Sequence, residues 1–413
     1  MIGATKFLTT FLSEADYGTL ALYNITATLP NLLFFAPLGQ GIGRYYPIAQ
    51  EKAELPQFDR QFTQLFRSGS AIAGFAGLMS AVVCFCAGSF HWAIASLLIA
   101  ALSVLNAYNA YCYGLQNAAR QRILALGLET GDRVLQQGLA ILLLWLVLGD
   151  PLMALAGYAG SAMLFWFINQ HYYLKTFPET GQRPPPESLG HSESAVHYGR
   201  DILRYAWPFM LFGAFTWAQT ASDRWALELL CSTESVGQYA VLNQIGFQSL
   251  SLLIGSISYF LIPILYNRAG SLEQAGQFRE ANRLNNWYLC FNAVLTMGLC
   301  SVFWFFGAGV VRLLSAEKYV PIASLLPIMA LAGGLFNFGQ TYSMRFMFGL
   351  QTQQLLYPKI GAALIGVCLN FYAVSHYGLV GLVWAAVIGQ MIYLIFLLTA
   401  WQFLPKSHLR SSI

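Results

Sequence analysis

Apolar residues fall along this chain in long unbroken blocks. Stretches of about twenty residues, enough to cross about 30 Å of hydrocarbon as a helix, recur at 17–38, 68–88, 92–115, 123–149, 152–174, 205–227, 236–262, 287–310, 320–345, 355–375 and 379–403. Short polar loops separate them. Nothing resembles the short alternating segments of an outer-membrane barrel. A backbone in lipid must satisfy its own hydrogen bonds, so the blocks predict eleven transmembrane helices and an all-α integral membrane protein.

Composition strengthens this reading. Of 413 residues, 57% are hydrophobic and only 10% charged, against about 25% charged in a soluble domain. The second apolar solvent implied by that shortage is the bilayer. The net charge of +4 says less than its placement. Taking the loop after 17–38 and every second loop thereafter, with the C-terminal tail and the adjoining span-end residues Arg345 and Lys359, gives seventeen Lys and Arg, whereas the alternate loops hold only Arg312 and Lys318. Basic residues gather on the cytoplasmic side, which puts the first set and the C-terminus there. Met1–Phe7 lack the basic-then-apolar pattern of a cleavable signal.

The longest polar stretch, Lys175 to Arg204, carries Pro178, Pro184–Pro186 and Gly190 and reads as a flexible linker. It predicts an N-terminal helical bundle at 1–175, a cytoplasmic linker at 176–203, a C-terminal bundle at 204–404 and a tail at 405–413. The halves look like repeats: Gly18, Ala21 and Asn24 fall on Gly237, Ala240 and Asn243 at a constant shift of 219. Pro47 and Pro263 are expected to end the corresponding spans. Shifted back by 219, the 205–227 span would begin ahead of residue 1, so 1–12 reads as the external end of a truncated first span. The repeat then predicts about twelve spans, six per half, as parallel repeats about an axis normal to the membrane.

A charge inside a span costs about 2.5–3.5 kcal/mol on insertion scales and needs a partner or a wet cavity. Asp223 and Arg224 stand near the external end of their span, behind Thr216, Gln219 and Thr220; they read either as a cavity wall offering Arg224 to an anion or as an interfacial pair. Lys6 lies near the matching place in the first half, as a second cation for an anion site or as a snorkelling side chain. Glu129, Asp132 and Arg133 open the 123–149 span; neighbouring charges that stay wet are the plainer reading, a coupling-ion carboxylate the sharper one. Arg44 marks the inner end of the 17–38 span.

Neutral polar residues form stripes at helical spacing: Asn24, Thr28 and Asn31; Gln244, Gln248 and Ser251; Asn106, Asn109 and Tyr113; Asn337, Thr341 and Arg345. Their occurrence in corresponding spans favours a hydrated central cavity over interhelical bonding alone. Tyr and Asn suit sugars, which stack on rings and pair with amides. The seven cysteines lie mostly in apolar runs without a CxxC pair, so no metal or cofactor is expected. There is no phosphate-binding GxxxxGK[ST] loop and no HExxH, and external loops are too short for a catalytic domain.

Leu12-Ser-Glu-Ala-Asp-Tyr-Gly18 is similar to the first loop of the polysaccharide-transport, O-antigen flippase-like family, within the superfamily of multidrug and oligosaccharidyl-lipid exporters. Gly39-Gln-Gly-Ile-Gly-Arg44-Tyr-Tyr resembles the end of its second span. Tyr205-Ala-Trp-Pro208, Ala221-Ser-Asp223-Arg224 and Ser235-Val-Gly237-Gln-Tyr239-Ala resemble the start of its second half. The resemblance implies two six-helix bundles around a central cavity with alternating access, in a bacterial inner membrane. The implied cargo is an undecaprenyl-pyrophosphate-linked oligosaccharide, flipped for O-antigen or another surface polysaccharide. By motif, Arg44 and Arg224 would contact the pyrophosphate. Membrane lipid, a polysaccharide polymerase and a chain-length regulator are the implied partners, and nucleic acid is not one. Two rivals remain: a cation-coupled drug or small-solute antiporter of the same superfamily, and a membrane-embedded polymerase or glycosyltransferase.

Overall fold

Glycine makes three corners of the fold. Gly88, Gly149 and Gly378 hold φ of 78°, 83° and 55°, the left-handed region that residues with a Cβ avoid. At Gly88 the preceding helix closes with a paired motif: Ser89 N–H reaches the Cys84 carbonyl at 2.9 Å and Gly88 N–H the Phe85 carbonyl at 3.0 Å. The structure, a computed structural model, describes residues 2–52, 54–119, 121–147, 149–176, 198–269, 277–348 and 352–402.

Its elements are helices throughout the described residues: α1 (Ile2–Phe11), α2 (Glu14–Pro30), α3 (Ala36–Glu51), α4 (Leu55–Cys86), α5 (Phe90–Ala118), α6 (Arg122–Leu146), α7 (Pro151–Thr176), α8 (Tyr198–Leu230), α9 (Thr233–Leu242), α10 (Ser249–Ala269), α11 (Gln277–Leu314), α12 (Leu326–Phe348) and α13 (Leu356–Gln402). A π-helical turn, Asn31–Phe35, joins α2 to α3, and another, Asn243–Gln248, joins α9 to α10. Short 3₁₀ segments, Glu317–Leu325 and Thr352–Leu355, lead into α12 and α13. Gly378 breaks α13, so the expected spans 355–375 and 379–403 are two passes joined at one residue.

Eight helical stretches among the described residues are long and apolar enough to cross a membrane, α13 with its leading 3₁₀ turn among them. The expected spans 123–149 and 205–227 lie in α6 and α8, which are long enough at 25 and 33 residues but are not among the eight. Both carry the polar residues discussed below. Helices also run past the expected span ends. Pro47 and Pro263 do not end theirs, which continue to Glu51 and Ala269; a proline removes one ladder bond without forbidding the turns beyond it. The expected linker lies outside the described residues at 177–197, while 198–203 already belong to α8. The tail at 405–413 lies outside the described residues.

The chain divides into two compact units, one of Leu22–Trp217 and one of Ile2–Ala21 with Ala218–Ile413. In the first, α5 packs on α3, α4, α6 and α7, and an aromatic cluster of Phe58, Phe62, Tyr111 and Tyr198 fills one end. In the second, α11, α12 and α13 pack in sequence and α1 lies against α11.

The second unit also holds the starts of both repeated segments, with Gly18 and Gly237. Ser13 caps α2 by accepting the Asp16 N–H at 3.0 Å, and Ser232 caps α9 by accepting the Ser235 N–H at 3.3 Å; the two serines stand at the same shift of 219. Gly18 and Gly237 then meet reciprocally. A Cβ on Gly18 would fall 2.1 Å from the Thr233 carbonyl oxygen, and one on Gly237 would fall 2.1 Å from that of Glu14. Since Thr233 is the counterpart of Glu14, this contact has a local two-fold character, and glycine alone permits it. Glu14 also accepts from Gln238 Nε2 at 2.7 Å.

Gly18→Ala or Gly237→Ala is therefore expected to force two backbones apart and lower stability by about 1–3 kcal/mol. Gly39→Ala, at a helical glycine with nothing within 4 Å of its Cβ position, serves as control and should be neutral or stabilising by up to about 1 kcal/mol. Thermal unfolding of the purified protein checks the contrast.

Candidate functional site

In α6 the buried positions are Ala125, Asp132, Gln136, Ala140 and Leu144. That face packs on α5 and α7, so two polar residues are drawn into an apolar seam. Asp132 is only 4% exposed, whereas Glu129 and Arg133 are exposed. The plainer expectation, a wet group of neutralising charges, does not hold for Asp132. Its helix turns it away from its charged neighbours and towards neutral donors. Gln136 Nε2 donates to Asp132 Oδ1 at 3.1 Å and to Asn106 Oδ1 at 3.1 Å. Ser161 Oγ donates to Asp132 Oδ1 at 3.2 Å, and the Tyr113 hydroxyl reaches Oδ2 at 3.5 Å.

Beside this group, Asn109 Nδ2 donates to the Ala162 carbonyl and Asn169 Nδ2 to Asn109 Oδ1, both at 3.0 Å. Tyr108 donates to Gln170. The stripe of Asn106, Asn109 and Tyr113 thus joins α5 to α6 and α7. A carboxylate so enclosed, with hydroxyl and amide donors and no ion pair among the described residues, is chemically able to take up a proton or hold a small cation.

The second unit contains the Asp223–Arg224 pair of α8. Arg224 Nη1 lies 3.2 Å from Asp223 Oδ1, Arg224 N–H donates to the same oxygen at 2.7 Å, and the guanidinium carbon sits 5.9 Å from the centroid of buried Tyr239. Asp223 is 8% exposed. One residue earlier, Ser222 Oγ accepts from Asn370 Nδ2 at 2.8 Å, tying α8 to α13. Arg224 is thus a cation already matched by a carboxylate.

Lys6 has a different setting from Arg224. Its Nζ donates to the carbonyls of Arg312 and Ser315, both at 2.6 Å, the free acceptors at the end of α11, where positive charge is favourable. Asn337 Nδ2 donates to Ser251 Oγ at 2.9 Å and to the Gly333 carbonyl at 2.7 Å, so two of the expected stripes meet. Arg345, two turns on, donates to Asn286 and lies with its guanidinium carbon 4.3 Å from the Tyr342 ring centroid.

Asn24 is half-buried. Asn31 is exposed, and Gln244 is half-buried in its π turn. Arg44 lies on α3, with its side chain outside the described residues. Asn285, Asn286, Ser161, Asn169, Gln170 and Asn370 were not among the expected candidates. Their signal was legible only in part, as amides inside or beside apolar blocks. Among the described residues no group of His, Cys, Asp and Glu is placed to hold a metal ion.

This multi-pass helical membrane fold is similar to those of solved transporters and a flippase. An inward-facing multidrug resistance MATE family transporter shares it with a TM-score of 0.72 and 13% identity, over 97% of this chain and 93% of its own. The lipid II flippase MurJ in an inward closed conformation matches with a TM-score of 0.71 and 15% identity, over 100% of this chain and 87% of its own. A MOP superfamily transporter from Pyrococcus furiosus, described by a binding pocket of reverse polarity, matches with a TM-score of 0.53 and 14% identity, over 97% and 96%. No curated protein matches the chain. The polysaccharide biosynthesis protein family matches residues 6–267, more than half of the chain, and the chain belongs to that family.

Asp132→Leu should strand the donors of Gln136, Ser161 and Tyr113 and cost about 1–3 kcal/mol. Asp132→Asn keeps an acceptor in place and should cost less. Denaturation of the two purified variants in one detergent checks this; equal stability of Asp132→Leu and wild type would remove Asp132 from the packing account.

Proposed function

We propose that this chain is a flippase that moves a polyprenyl-pyrophosphate-linked oligosaccharide across the bacterial inner membrane, for O-antigen or another surface polysaccharide, by alternating access. The observation that carries the reading is membership of the polysaccharide biosynthesis family over residues 6–267. The fold likeness to a lipid II flippase supports a lipid-linked cargo. In this reading the C-terminus is cytoplasmic, the protein is a carrier and not an enzyme, and an N-terminal bundle, a linker, a C-terminal bundle and a tail follow one another along the chain. Arg224, Arg44, Lys6 and Arg345 are candidate contacts for the pyrophosphate. Asp223, Asn24, Asn31, Gln244, Asn106, Asn109, Tyr113 and Asn337 are candidate polar contacts along the sugar path.

A second reading, a cation-coupled antiporter, draws on one observation: Asp132 is a buried carboxylate with neutral donors only. Such a group can couple transport to a proton or cation gradient whichever cargo is carried. Cargo is therefore the discriminating measurement. Clean deletion should abolish surface polysaccharide, leave lipid-linked single units on the cytoplasmic face, and leave drug sensitivity unchanged. Normal polysaccharide with altered drug sensitivity would favour the antiporter. Single units that are flipped but not polymerised would favour an enzyme.

Arg224→Lys keeps a cation beside Asp223 and should retain most complementation. Arg224→Ala should lose transport by about tenfold or more, in part because Asp223 is left buried and unpaired. The double variant Asp223→Ala/Arg224→Ala removes that penalty. It should recover membrane level without recovering transport, which separates stability from recognition; transport at the wild-type level in the double variant would take Arg224 out of the mechanism.

A further inference from the structure

The seam between α11 and α12 holds polar groups that no neighbour satisfies. The helices run antiparallel there: Thr296 lies against Gly334, Leu289 shares a packed cluster with Tyr342, and Asn286 bonds to Arg345. Asn285 is 0% exposed, and neither its Nδ2 nor its Oδ1 has a hydrogen-bond partner among the described residues. The same is true of the enclosed Nε of Arg345. Buried polar atoms are rarely left so.

Charge is unmatched at the same place. The ion pairs among the described residues are Asp223–Arg224 and Glu317–Arg312, so Arg345 has no carboxylate partner among them. Its guanidinium is held by the Tyr342 ring and by the Asn286 amide oxygen, which orient it without neutralising it. From Gln277 to Gln402 the only acidic residues are Glu280 and Glu317, against Arg279, Arg283, Arg312, Lys318, Arg345 and Lys359. Water could satisfy Asn285 but would bring no negative charge. An oxyanion supplies both missing things, acceptor oxygens for Arg345 Nε–H and the Asn285 amide and a counter-charge for the guanidinium. The site opens to the surface on one side, since Asn286 is exposed while Asn285 is enclosed.

We infer that Arg345, Asn285 and Asn286, over the Tyr342 ring, form an anion subsite inside the second unit that takes a phosphate group. That group arrives either on a lipid, as a phospholipid or polyprenyl headgroup, or free. Trp401, whose ring centroid lies 5.2 Å from that of Phe346 and 6.5 Å from that of Tyr342, gives a reporter close to the site.

The test uses the full chain in nanodiscs, with thermal unfolding followed by tryptophan fluorescence. In one arm, phosphatidylcholine discs are titrated with inorganic pyrophosphate; in the other, phosphatidylcholine is replaced in part by phosphatidylglycerol. Wild type should be stabilised in at least one arm. A response to pyrophosphate supports capture of free or terminal phosphate, and a response to phosphatidylglycerol alone supports a lipid headgroup as the source. Arg345→Gln should weaken the response about tenfold. Asn285→Asp is nearly isosteric and adds a carboxylate to the seam that holds the guanidinium. It should weaken the response by a similar factor while unfolding, without ligand, at or above the wild-type temperature. Asn285→Asp responding like wild type would overturn the inference, as would absence of any wild-type response in both arms, which would assign the vacant bonds to water. Binding here is read without translocation, so the flipping proposal and this one stand or fall separately.

Discussion

A polar group inside hydrocarbon must find its partner within the protein, because water is not there to serve. Most of what holds these helices can be traced to that demand. Hydroxyls turn back on their own helix, as Thr9 does to Thr5 and Thr296 to Asn292. Helix ends are closed by side chains from elsewhere: Lys6 of α1 bonds the last carbonyls of α11, and Lys318, just past α11, bonds the Leu12 carbonyl after α1. The two lysines therefore close the neighbouring chain ends, which fastens α1 to the end of α11 although little apolar sequence is available in so short a helix. The same demand links α5, α6 and α7 through amides and one carboxylate. There the apolar faces of the helices could slide against one another, since lipid offers no hydrophobic gain for choosing one register. The bonds from Gln136 and Ser161 to Asp132 fix a single one.

The apolar blocks were legible because the bilayer demands length and hydropathy over some twenty residues at once. That demand is blind to what lies at the ends of a span. α4 and α11 begin well ahead of their apolar segments, and the chain continues helically through Pro47 and Pro263. The repeat was legible from three identities, but its meaning was not. Gly18 and Gly237 look alike in any alignment of the halves; that they face one another, each against the backbone of the other's helix start, is a property of the fold. Ser13 and Ser232 were a further signal of the same repeat, available from cap chemistry.

The candidate site was legible by residue type more than by environment. Every charge inside a span invited attention, yet spacing along one helix does not reveal what the neighbouring helices offer. Asp132 shares a helix with Arg133 and is nonetheless enclosed among neutral groups, because the face that buries it also buries Ala125 and Ala140. Asn285 and Asn286 lie just ahead of the expected 287–310 span, a place where amides excite no suspicion. Only the packing of α11 against α12 brings Asn286 to Arg345, with Asn285 next to it in the chain.

Three charges within the expected spans thus illustrate three physical states, and each suits a different task. Arg224 is matched at 3.2 Å by Asp223; an anion reaching it must compete with a carboxylate already in place, which favours brief contact. Asp132 has neutral donors and no ion pair among the described residues, a state that changes readily on gaining a proton or small cation. Arg345 is a cation with donors still vacant beside it, a state that favours holding. Under the proposed flipping function, a pyrophosphate needs both kinds of contact, since a carrier that bound its anion equally tightly throughout would trap it. A matched cation and an unmatched one within a single unit provide sites of unequal strength. Such inequality, rather than the total positive charge, is what would let a charged headgroup be gripped and then released.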